Sequence, residues 1–73
     1  MMSNEKLHNN QIGLRIRTAR KEKGINQTEL ANLLGKSLRT IQKYESGEIE
    51  VSIAMLNEIA KSFRLRIHIS HRV

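Results

Sequence analysis

Arg39, Gln42, Lys43 and Ser46 recur at i, i+3, i+4 and i+7, so a helix over this stretch carries all four on one face. That face holds no acid within the helix. Arg presents a fork that can bond guanine bidentately, Gln suits adenine, and Lys serves guanine or phosphate. Ile41 and Tyr44 lie on the opposite side, where they would anchor the helix to a core. A merely solvated polar face is the other reading, open to any surface helix. The chemistry on offer is recognition and not bond making. No paired-carboxylate cleft, Ser-His-Asp set or phosphate-binding loop is present, so no enzyme and no catalytic residue is expected. There is no cysteine, and His8, His68 and His71 lack the spacing of a zinc site, so neither a metal nor another cofactor is expected.

The elements that must position this face can be read from caps and periodicity. Residues 1–9 are polar and without period, which predicts a mobile N-terminal tail. Ile12, Ile16 and Ala19 then fall at helical intervals among Arg15, Arg17, Arg20 and Lys21, and Gly24 can close that first helix. Asn26 is placed to cap a second helix, with Glu29 reaching back to it and an Ile25–Leu30 staple. Leu30, Ala31 and Leu34 face inward, and Gly35 stops the helix after two turns. Ser37 can cap a third helix that ends at Ser46-Gly47. Ser52 can cap a fourth, stapled by Val51 and Leu56 and continued by Ile59, Ala60 and Phe63. Phe63, Leu65, Ile67 and Ile69 then alternate with Arg64, Arg66, His68 and Ser70. That period predicts a C-terminal β-strand.

Ala31, Gly35 and Ile41 satisfy three narrow demands together. They are a small residue where two helices cross, a residue free to take positive φ four positions later, and a branched anchor six positions after that. With IGLRIRTAR, GINQTELANLLGKS, IQKYESGE and VSIAMLNEIAKSF, the stretch Ile12–Phe63 resembles the Cro and phage-repressor type of helix-turn-helix domain found in XRE-like transcriptional regulators. The resemblance covers about fifty of the 73 residues. Val51 stands where that family usually has proline, and a strand replaces the fifth helix that many members carry.

The resemblance implies a mainly α, lambda-repressor-like domain of four short helices over 10–63, and the alternation beyond it adds a strand over 64–73. It implies a sequence-specific regulator of double-stranded DNA, a repressor of phage or mobile-element type on a palindromic operator. It also implies DNA contacts from Gln27, Lys36, Ser37, Leu38, Arg39, Thr40, Gln42, Lys43 and Ser46. Leu38 either tucks inward or meets a thymine methyl. Gln27 sits where the family clamps the DNA backbone. Arg20 and Glu45 match the pair that joins the first and third helices, as a structural ion pair or with Arg20 also on phosphate. A C-terminal strand pairing with its symmetry mate through Leu65, Ile67 and Ile69 would give a homodimer, in the Cro manner.

Charge agrees with a polyanionic partner. Net charge is +6, with six bases against two acids over 1–23 and three bases with no acid over 63–73. Aromatic residues number only Tyr44 and Phe63, too few for the stacking platforms of single-strand or RNA binders. No apolar run approaches a membrane span, and no signal-peptide core follows the first methionines. The expectation is therefore a cytoplasmic, nucleoid-associated protein without membrane contact. A protein antagonist is a possible partner. The rival reading is an antitoxin-like or adaptor module whose main partner is a protein.

Overall fold

The computed structural model describes the backbone of residues 3–71 and the side chains of residues 8–64. Four helices follow one another: α1 (Ser3–Glu22), α2 (Gln27–Leu34), α3 (Leu38–Ser46) and α4 (Ile53–His71). The fold is mainly α, and the described residues contain no strand.

Local chemistry accounts for each boundary in the middle of the chain. Asn26 Oδ1 accepts the Glu29 amide at 2.8 Å, and Glu29 Oε1 accepts the Asn26 amide at 2.9 Å, closing a capping box at the start of α2. Gly35 ends α2 with φ 67° and ψ 32°, a left-handed conformation that costs a residue with a Cβ. Its N–H and that of Lys36 return to carbonyls of the last turn. Ser37 Oγ then accepts the Thr40 amide at 3.1 Å and opens α3 only two residues after the glycine. Ser52 Oγ does the same for Met55 ahead of α4.

Ile16, Ile25, Leu30, Ala31, Ile41, Tyr44, Val51, Ile59 and Phe63 form one core, with Ile12, Ala19, Leu34, Met55 and Leu56 packed on its edge. Leu30 and Ile41 have no exposed surface. Truncating either to alanine would cost ~2–5 kcal/mol, a large share of what so small a domain can hold. Ala60, expected in this stripe, is exposed.

α1 packs most closely on α3, and Gly13 is the reason. A Cβ built there would fall on the carbonyl oxygens of Tyr44 and Glu45. One turn earlier, Asn10 lies against the backbone of Gly47 at the end of α3.

Two sequence expectations are corrected at the ends of the chain. Helix α1 begins at Ser3, where a mobile tail over 1–9 was expected. No glycine or proline interrupts 3–10, and extending a helix already nucleated by packing adds a hydrogen bond for each residue fixed. Helix α4 continues to His71, in place of the strand expected over 64–73. A lone strand leaves its N–H and C=O groups unpaired, whereas a helix satisfies them within the segment. No residue from Arg64 to His71 is a helix breaker, so Ile59 and Phe63 simply lead on into further turns. The side chains of Leu65, Ile67 and Ile69 lie outside the described residues, and so does any interface they form.

Candidate nucleic-acid interface

Helix α3 is held by its inner side. Ile41 is fully buried and Tyr44 nearly so, which leaves Arg39, Gln42 and Ser46 exposed and Lys43 half-buried on the opposite side. The short turn from Gly35 to Ser37 fixes α3 against α2, so this face is presented rigidly and not from a loop. Leu38 is 41 % exposed at the start of α3, so part of its side chain reaches solvent beside the polar face. Lys36 and Ser37 are exposed beside it, and Thr40 is half-buried with its hydroxyl 3.0 Å from Ser37 Oγ. Ser46 Oγ donates to the Lys43 carbonyl at 3.2 Å, so its free capacity is as an acceptor.

A cleft of about 280 Å³ runs along this face, lined by Arg39, Gln42, Lys43, Ser46 and also Glu48. The sequence did not single out this acid, which follows α3 in the loop before α4. The left-handed Gly47 turns the chain back, and the Glu48 amide bonds the Lys43 carbonyl at 3.0 Å, which brings residue 48 beside the helix it follows. The positive φ expected of Gly47 was the available signal, but it carried no direction.

Under the face lies a hydrogen-bonded network joining three helices. Arg20 Nε donates to Glu45 Oε2 at 2.6 Å and Nη2 donates to Glu45 Oε1 at 3.0 Å, with side chains 8 % and 4 % exposed. Arg20 Nη1 donates to the Ile25 carbonyl at 2.8 Å. The bidentate geometry and near-complete burial make this a structural pair. Removing one partner would strand a charge at a cost of ~3–5 kcal/mol. Gln27 Nε2 donates to the same Glu45 Oε1 at 3.0 Å. An amide nitrogen carries two hydrogens, so one N–H of Gln27 is fixed by Glu45 and the other remains available.

A second polar cleft, about 430 Å³, lies where α1, the start of α2 and α3 meet, and Arg17, Arg20, Gln27, Gln42, Glu45 and Ser46 line it. Sequence reasoning treated Arg17 only as part of a polar flank. On the far side of α1, an apolar groove of about 500 Å³ separates α1 from α4, lined chiefly by Ile12, Ile16, Leu56, Ile59 and Phe63. Among the described residues there is no group of three or more His, Cys, Asp or Glu that could hold a metal. No described helix is long and apolar enough to cross a membrane.

Comparison with known proteins agrees with this geometry. The helix-turn-helix family profile (HTH_3) matches residues 16–69, nearly three quarters of the chain. A protein of Pyrococcus furiosus, named as an inferred HTH-type transcriptional regulatory protein, is 41 % identical over 51 residues, covering 70 % of this chain and 16 % of its own. An uncharacterised transcriptional regulator in the ATPase CF(0) region of Rhodospirillum rubrum is 38 % identical over 56 residues, covering 77 % and 52 % respectively. An uncharacterised HTH-type transcriptional regulator of Sinorhizobium fredii is 33 % identical over 54 residues, covering 74 % and 38 %. The chain thus spans between about a sixth and about half of the length of these curated relatives.

Proposed function

The chain belongs to the Cro/C1-type helix-turn-helix family of transcriptional regulators, and on that premise we propose that it represses transcription by occupying a palindromic operator as a homodimer. The operator would be of phage or mobile-element type. The observation that carries the DNA reading is the row of exposed Arg39, Gln42 and Ser46 with half-buried Lys43, backed by the buried Ile41 and Tyr44 of the same helix.

In this reading α3 lies in the major groove. Arg39 bonds guanine, Gln42 bonds adenine, Lys43 meets guanine or phosphate, and Leu38 packs on a thymine methyl. Gln27, Lys36, Ser37 and Thr40 bond the backbone, which sets register without reading sequence, while Ser46, its hydroxyl proton committed to the Lys43 carbonyl, accepts from a base-edge amino group. Two copies related by a two-fold axis would set their recognition helices about 34 Å apart, one turn of DNA. Leu65 and Ile69 recur four residues apart near the end of α4, a helical spacing that supports self-association there, whereas Ile67 falls out of that register. Occluding a promoter needs nothing beyond DNA binding itself, which favours repression over activation.

Selection from random duplexes, followed by gel shift at two salt concentrations, tests the function. The expected result is a two-fold symmetric site whose affinity falls steeply with salt. Sedimentation equilibrium should show a dimer that Ile69→Asp dissociates, with circular dichroism reporting retained helices. Enrichment of no site would overturn the regulator, and enrichment of an asymmetric site would overturn the dimer.

A further inference from the structure

We infer that the cleft joining α1, α2 and α3 is the seat of a DNA backbone phosphate and that Arg17 is its cation, in place of Arg20. This rests on the DNA-binding reading above and adds Arg17, which the sequence did not single out, to the cleft where Gln27 is expected to clamp the backbone.

The two arginines lie three residues apart on α1 and line the same cleft, yet their chemistry differs. Arg20 is paired and buried. Its Nε and Nη2 go to the Glu45 carboxylate and its Nη1 to the Ile25 carbonyl, and it is 6 % exposed. Its charge is cancelled by Glu45 at 2.6 Å. A phosphate approaching Arg20 would therefore meet a neutral pair, with only the second N–H of each Nη to offer from an almost wholly buried side chain.

Arg17 is exposed and makes no hydrogen bond or ion pair among the described residues. It is the uncompensated charge of the cleft. Its neighbours there supply donors: the second N–H of Gln27 Nε2, whose first is tied to Glu45, and the exposed Gln42 amide. Glu45 holds Gln27 with its nitrogen and not its carbonyl committed toward the network. Gln42 and Ser46 belong both to this cleft and to the base-reading cleft, so the two are continuous. A strand whose bases meet α3 thus has its backbone led past Gln27 and Arg17.

The test compares two charge-equivalent losses. Arg17→Gln and Arg15→Gln each remove one exposed positive charge from α1, but Arg15 faces the apolar groove against α4. Affinity is measured across a salt series on both the selected site and a random duplex, with thermal circular dichroism to confirm the fold. Arg17→Gln should weaken both duplexes roughly tenfold and reduce the slope of log K against log salt by about 0.9, one phosphate contact per protomer. Arg15→Gln should change neither by more than a general charge effect. A single methylphosphonate, scanned along the backbone, should weaken wild type at one position and leave Arg17→Gln unaffected there. Equal losses in the two variants would overturn the proposal, as would a loss confined to the selected site, which would make Arg17 a base reader. A wild type that binds no duplex would instead overturn the DNA reading beneath it.

Discussion

Glu48 stands two residues beyond Ser46, at the edge of the cleft lined by Arg39, Gln42 and Lys43. A carboxylate there repels phosphate wherever the domain rests on a duplex. That repulsion adds to the binding free energy whatever the bases, so discrimination is left to the base contacts proposed for Arg39 and Gln42. Glu48→Gln should raise affinity for random duplex and for the selected site alike, by roughly two- to fivefold, the scale of one partly screened surface charge. Competition binding at fixed salt measures both. A larger gain on the selected site would mean that Glu48 opposes base reading itself. The residue types of the α3 face were legible in the sequence because a helix orders its surface by a fixed period. Glu48 and Arg17 were not: the left-handed turn at Gly47 brings Glu48 back beside the helix, and Arg17 joins through the packing of α1 on α3, neither of which the helical period encodes.

At the level of elements, the helices between Asn26 and Gly47 were legible almost residue by residue. Capping box, serine cap and left-handed glycine are short-range devices, and each residue type in them has a hydrogen-bonding role. The crossing of α1 over α3 was not legible, because Gly13 reads as an ordinary weakness within a helix. Its role follows from the carbonyls of Tyr44 and Glu45 that occupy the space of its missing side chain. Alanine in a helix interior normally stabilises by up to ~1 kcal/mol relative to glycine. Gly13→Ala should instead destabilise by ~1–3 kcal/mol, since backbone cannot yield as a flexible side chain can. Denaturant unfolding followed by circular dichroism gives the sign directly, and a stabilised Gly13→Ala would show that the crossing is looser than described. The C-terminal segment misled for a different reason. Alternation from Phe63 to Ser70 is a strand signal only if a neighbour exists to pair with, and the same residues form a helix when hydrogen bonds must be met within the segment.

Across the whole molecule, charge and shape divide the labour. The basic excess lies in the first 23 residues and the last eleven, while the central stretch holds four bases against five acids. The helix-turn-helix itself is therefore close to neutral, and its discrimination has to come from a few placed groups on α3, with attraction to the duplex supplied chiefly by α1 and the C-terminal segment. This arrangement makes one claim central: that α3 reads base edges in the major groove, with Arg39 on guanine. The most direct measurement replaces guanine with 7-deazaguanine at the base pair whose preference Arg39→Ala abolishes. That change deletes the N7 acceptor in the major groove and leaves base pairing and the minor groove unaltered. Wild type should lose roughly tenfold or more in affinity for the substituted site, and Arg39→Ala, already without the contact, should lose nothing further. Wild-type binding that is indifferent to 7-deazaguanine throughout the site, yet sensitive to removal of the guanine N2 amino group in the minor groove, would contradict the account.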